Sequence, residues 1–137
     1  MKVRAYTHTD GTVRIVTFAE SARKHGETDK AFMDRAYSAM MAADPNIPAD
    51  FVDIDPGQIP DRNTQDGIPL RPQWRISGQT IVIDPTVRNI FKEYHDKTKE
   101  VENIKAKGGA LTIADMLDIK KKEIEIELII KEMNSGR

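Results

Sequence analysis

His8 and Asp10 stand two residues apart, and an imidazole beside a carboxylate can fill two positions of a metal ion's shell. A zinc site needs three or four converging ligands, and no further ligand falls at a known spacing. His8-Thr9-Asp10-Gly11 therefore reads as a solvated turn. Asp50, Asp53, Asp55, Asp61 and Asp66 crowd a second stretch, and alternating carboxylates are ligands for calcium or magnesium. The EF-hand offsets are missing, with no Gly and no bidentate Glu where that loop needs them, so these read as turn and strand-edge aspartates. His95-Asp96 follows Tyr94 on a helix and reads as surface. Ser21, Ser38 and Ser77 have no neighbouring base, and Gly108-Gly109 lacks the Lys-Ser/Thr of a phosphate loop. The chain has no cysteine, which excludes disulfides, thiolate metal sites and cysteine nucleophiles. No catalytic, metal or cofactor-binding residue is assigned, no cofactor is expected, and the chain reads as a non-enzyme.

What remains are side chains suited to binding. Arg62, Arg71 and Arg75 flank Trp74, the only Trp, and Arg and Trp are the types most enriched at binding hot spots. These four are candidate partner-binding residues, with a core role as the rival reading of Trp74. Lys105, Lys107 and Lys120-Lys121-Lys122 would make a basic patch, but Glu123, Glu125, Glu127 and Glu132 follow at once. A helix face laced by salt bridges is the better reading. Acidic residues number 22 against 21 basic ones, so no net basic face is available for phosphates and no nucleic-acid partner is expected. The N-terminus has no apolar signal core, and no apolar run nears the ~20 residues that span a bilayer. A soluble, intracellularly made protein with no membrane partner is expected.

The positioning elements follow from periodicity. Residues 1–18 read as a hairpin in which Val3 and Ala5, then Val13, Ile15 and Thr17, alternate with polar residues around Asp10-Gly11. Residues 27–43 read as a helix capped by Thr28 or Asp29, with Phe32, Met33, Ala36, Tyr37, Met40 and Met41 on one face. Asp44-Pro45 stops it. Residues 50–55 read as a short strand with Phe51 inward and Val52 or Ile54 as further inward candidates. Four of the seven prolines fall in 56–72, which reads as loop. Trp74 and Ile76, then Ile81 and Ile83, alternate on a second hairpin. Asp84 and Pro85 read as the N-cap and first position of a long helix. Its stripe is Val87, Ile90, Phe91, Tyr94, Val101 and Ile104, broken by Lys97 and Thr98 and ended by Gly108-Gly109.

Thr112 and Asp115 then open a last helix as a partial capping box. Its apolar residues form two stripes: Ile113, Leu117, Ile124 and Leu128, and separately Ile119, Ile126, Ile130 and Met133. Two apolar faces need two neighbours, for which the preceding helix and a second subunit are the candidates. Ile119, Ile126, Ile130 and Met133 join the candidate partner-binding residues. The alternation in 123–130 also fits a strand; length and Lys/Glu-rich flanks favour helix. The expected class is α+β: a small antiparallel sheet of hairpins with one packed helix, then a C-terminal helical hairpin or extended helices. The expected division is 1–84 with its loop at 56–72, and 85–137. An apolar fraction of 39% with 31% charged residues allows one modest core.

The order of VRAYTHTDGTVRIVT, a helix, FVDIDPGQIPDRN, QWRISGQTIVIDP and a helical C-terminus resembles a group of small proteins of tailed bacteriophages and prophages. The resemblance covers about residues 1–95. The insert NTQDGIPLRPQ replaces that group's shorter segment between Arg62 and Trp74. It implies a virion accessory part or assembly factor, made in the host cytoplasm and located in the virion. Other phage structural proteins would be its partners, with a coiled-coil homo-oligomer through the C-terminal helices. A tail-assembly chaperone absent from the mature particle is the alternative. A metal-dependent hydrolase using His8, Asp10 and the loop aspartates is the enzymatic rival, disfavoured by the missing ligand set.

Overall fold

The computed structural model describes residues 1–135 and divides into two units, one of Met1–Asn63 with Leu70–Val87, the other of Thr64–Pro69 with Arg88 onward. The class is α+β, with two small antiparallel sheets and three α-helices.

In the first unit, β1 (Val3–Thr7) is the central strand, flanked by β2 (Val13–Val16) and β3 (Val52–Ile54). Gly11 takes φ of +84° in the turn between β1 and β2, the left-handed conformation that Asp-Gly supplies cheaply. Register places Ala5 opposite Ile15 and Val52, and Val3 opposite Ile54, so one face of the sheet is aliphatic. That face packs on Trp74 of β4 (Trp74–Ser77) and Ile81 of β5 (Thr80–Ile83), a separate two-stranded hairpin. Ile83 is exposed at its edge. The other face of β1 meets α1 (Asp29–Ala43), which buries Phe32, Met33 and Tyr37. Thr28 caps α1 by accepting from Ala31 N, and the Tyr37 hydroxyl donates to the Pro48 carbonyl at 2.6 Å.

Two expectations are corrected here. Alternation in β1 predicts an outward Arg4, yet Arg4 and Tyr6 are buried because α1 covers that face as well. Phe51 lies before β3 and is exposed, while Val52 and Ile54 point inward. Its ring instead covers the Arg4 guanidinium, 3.7 Å from the ring centre.

In the second unit, α2 is Ile90–Lys105 and α3 is Ile113–Ser135, so residues 123–130 are helical. The expected start at Asp84-Pro85 is wrong by about a turn and a half. The Asp84 carboxylate accepts from the backbone N–H and the hydroxyl of Thr86, closing a local turn instead of a helix. Asn89 is the N-cap: its Oδ1 accepts from the N–H groups of Phe91 and Lys92, and its Nδ2 donates to the Pro69 carbonyl at 2.7 Å. The middle of loop 56–72, Thr64–Pro69, belongs to this unit and is folded by Thr64 N to Ile68 O and Ile68 N to the Thr64 hydroxyl.

Candidate functional site

The α2–α3 hairpin is built from local signals. Gly108 takes φ of +59° after α2, a conformation that ends a helix at low cost. Thr112 and Asp115 close a reciprocal box, the Thr112 hydroxyl accepting from Asp115 N and the Asp115 carboxylate accepting from Thr112 N, both at 3.1 Å. Those bonds and Lys107 hold the Asp115 carboxyl below its ordinary range.

Ion pairs then set the register: Lys107–Asp115 at 2.9 Å, Lys122–Glu100 at 3.5 Å, Lys97–Glu125 at 2.6 Å and Arg88–Glu132 at 2.7 Å. Numbers fall along α2 as they rise along α3, so the helices are antiparallel. Lys97, which interrupts the apolar stripe of α2, is therefore used across the hairpin. Glu125 holds its ammonium above the ordinary range, and Lys97 in turn lowers the Glu125 carboxyl. Solvent screens such surface pairs, so they specify alignment more than they stabilise.

Between these pairs, Val101, Ile119 and Ile129 are buried and Ile126 and Met133 half-buried. The stripe Ile119, Ile126 and Met133 is thus turned toward α2. It was expected to face a partner, and the structure assigns it to the hairpin's own seam, with Ile130 at the seam's exposed border. Ile129 belongs to this seam and was missed in the sequence because it falls between the two stripes.

At roughly 100° per residue, Ile113, Leu117, Ile124 and Leu128 centre on the side of α3 opposite that seam. They are between 54% and 78% exposed, and Met116 beside them is 55% exposed. This is an apolar patch on the order of several hundred Å², the size of the largest patch on a typical monomer, which is often a functional one.

The residues of the first unit arrange differently. Arg62 and Arg71 line a cavity of about 120 Å³ with Ile15, Thr17 and Trp74. Arg14, Arg23, Arg35 and Arg88 each pair with a carboxylate, whereas Arg62 and Arg71 meet none within ion-pair distance among the described residues. A bond from Leu70 N to Arg62 O at 2.8 Å ties the two arginine-bearing segments together, and the Arg71 guanidinium lies 5.8 Å from the Trp74 ring centre. Trp74 itself is 1% exposed and is a core residue that offers a partner only the wall of this cavity. Arg75 turns to the backbone instead, donating to the carbonyls of Pro72 at 3.0 Å and Trp74 at 2.5 Å.

A larger cavity, about 320 Å³, is lined by Thr7, Pro48, Asp50, Phe51, Val52 and Ile76, with a single carboxylate and no nucleophile–base pair. The acidic cluster is dispersed: Asp53 is bound by Arg4, and Asp50 lines this cavity. Asp10 accepts from Thr12 and Arg14, which hold its carboxyl far below the ordinary range, and lies 3.3 Å from His8. Among the described residues no three His, Asp or Glu side chains converge to hold a metal, and no helix is long and apolar enough to cross a membrane.

The most densely bonded polar group was not singled out in the sequence. Arg4, 1% exposed, donates to both oxygens of Asp53 at 2.7 and 3.0 Å, to Asp34 at 2.8 Å and to the Met33 carbonyl at 3.4 Å. Its bonds go to four protein oxygens and it is buried, so it is an internal tie and not a site that faces a ligand. Comparison with family models, characterised proteins and solved structures finds no match to this chain.

Proposed function

We propose that this chain is a non-catalytic association module, a structural part of a tailed-bacteriophage particle as its sequence resemblance implies, which acts through the outward face of α3. One observation carries the reading: a helix that already buries one apolar stripe against α2 holds a second stripe of large aliphatic residues in water. Exposed apolar area of that kind is costly in solubility and is kept where a protein surface covers it. The sheet unit acts as a rigid platform built on Trp74 and Ile81. Arg62 and Arg71 offer a partner's carboxylates two guanidiniums that make no ion pair among the described residues.

Light scattering across a dilution series tests the reading. A discrete oligomer is expected, and Leu117→Asp with Ile124→Asp should give a monomer with unchanged Trp74 fluorescence. A monomer at every concentration in the unchanged chain overturns it. Recovery in purified particles supports the structural role, whereas recovery from lysate alone makes the chain an assembly chaperone instead.

A further inference from the structure

We infer that the surface covering the α3 face is the same face of a second copy, running antiparallel and centred next to Ile124. The inference rests on the association reading above and adds its partner and geometry. The charges on and beside the stripe decide the direction. Lys120, Lys121 and Lys131 punctuate it, and Glu127 lies on the same flank as Lys120 at helical spacing. None of these four has an ion pair among the described residues, unlike Lys122 and Glu125 on the α2 side.

A parallel copy would set this flank against the opposite flank of its partner, with Lys120 beside Lys121 and Glu127 beside Glu125 and Glu132. An antiparallel copy centred between residues 123 and 124 brings Lys120 level with Glu127 of the second helix, twice by symmetry. The same setting places Ile124 against Ile124, and Leu117 within about 3 Å of Leu128 along the axis. Apolar layers and charge pairs are thus satisfied by one register, as a two-fold interface requires of a self-complementary surface. Two patches of several hundred Å² with their charged flanks approach the ~1,200 Å² at which specific interfaces begin.

The absence of cysteine makes the test clean in the full chain, since single substitutions introduce the only thiols. Under mild oxidation Ile124→Cys should cross-link to a covalent dimer, because a disulfide needs Cα atoms about 4–7 Å apart. Leu117→Cys alone should not, since its two copies lie about 20 Å apart along the axis. A mixture of Leu117→Cys and Leu128→Cys should cross-link to each other. Lys120→Glu should weaken association about tenfold, and adding Glu127→Lys should restore it. Self-cross-linking of Leu117→Cys as fast as Ile124→Cys means a parallel pair and overturns the inference while leaving association intact. An unaffected Lys120→Glu variant likewise overturns the register alone. A monomer at all concentrations overturns both.

Discussion

Arg4→Met should cost the sheet unit about 3 kcal/mol at neutral pH, and the figure can be built from its contacts. The guanidinium is 1% exposed, so its hydration is lost on folding and must be replaced by bonds. Removing one partner of a fully buried ion pair costs about 3–5 kcal/mol. Here the acids left behind are partly wet, the Asp53 side chain 29% exposed and that of Asp34 40%, which lowers the penalty. Asp34 also keeps Lys30 at 2.7 Å, so its share is that of a surface pair, about 0.5 kcal/mol. The two bonds to Asp53 are charge-assisted and contribute about 2 kcal/mol, and the cation over Phe51 adds roughly 0.5–1. Methionine replaces most of the buried stem, so little cavity term is added. Arg4→Lys keeps the charge but not the fork that grips both oxygens of Asp53, and should cost about half as much. Lys30 first and then Arg4 hold the Asp34 carboxyl below its ordinary range. A depressed carboxyl contributes stability above its unfolded pKa of about 4 and loses it as pH falls through the folded value. The difference between Arg4→Met and the unchanged chain should therefore narrow below about pH 4. Urea titration followed by Trp74 fluorescence measures this, because the only Trp is buried in this unit. A loss under 1 kcal/mol, or equal losses for Met and Lys, would refute the assignment of the energy to the fork.

Ile119→Asp puts an unpaired carboxylate into the α2–α3 seam; it should unfold the helical unit, seen as lost helical circular dichroism, while Trp74 fluorescence stays native. Asn89→Ala removes both the cap on α2 and the bond to the Pro69 carbonyl. It should cost about 2 kcal/mol in thermal unfolding of helical signal, and a change under 0.5 would mean that Asp84 can cap after all.

Features fixed by neighbours in sequence were legible in advance. Asp10-Gly11 between alternating strands, Thr28 before an apolar face, and Thr112 three residues before Asp115 are each complete signals within a turn or two. Asp84-Pro85 and Asn89 compete as helix starts, and sequence preference for Asp-Pro chose the wrong one. Asn89 is also held from twenty residues away, its amide donating to the Pro69 carbonyl, a contact that no local pattern reveals. Arg4 was illegible for the same reason: its acids lie 30 and 49 residues along the chain, and alternation alone puts an arginine outside. In α3 both stripes were visible by periodicity, but periodicity cannot say which of two apolar faces meets α2. The ion pairs of Lys97 and Lys122 across the hairpin decide it, and they turn Ile126 inward and Ile124 outward.

That assignment changes what the lysines of α3 mean. On a helix packed along one face only, Lys120, Lys121 and Lys131 would be ordinary solvated residues. Among Leu117, Ile124 and Leu128 they break what would otherwise be an unrestricted greasy surface. A stripe without them would accept a second copy in either direction and at several registers, since aliphatic contacts carry little directional information. In the proposed antiparallel pair each lysine would disfavour the alignments that bring it against another lysine, and Lys120 would favour the one that brings it to Glu127. The stripe gives up some apolar area for that restriction, as a polar residue in a coiled-coil seam does when it fixes register at a cost in stability. Replacing Lys121 by Leu should accordingly tighten association of α3 faces while loosening its direction, with Leu117→Cys beginning to cross-link to itself.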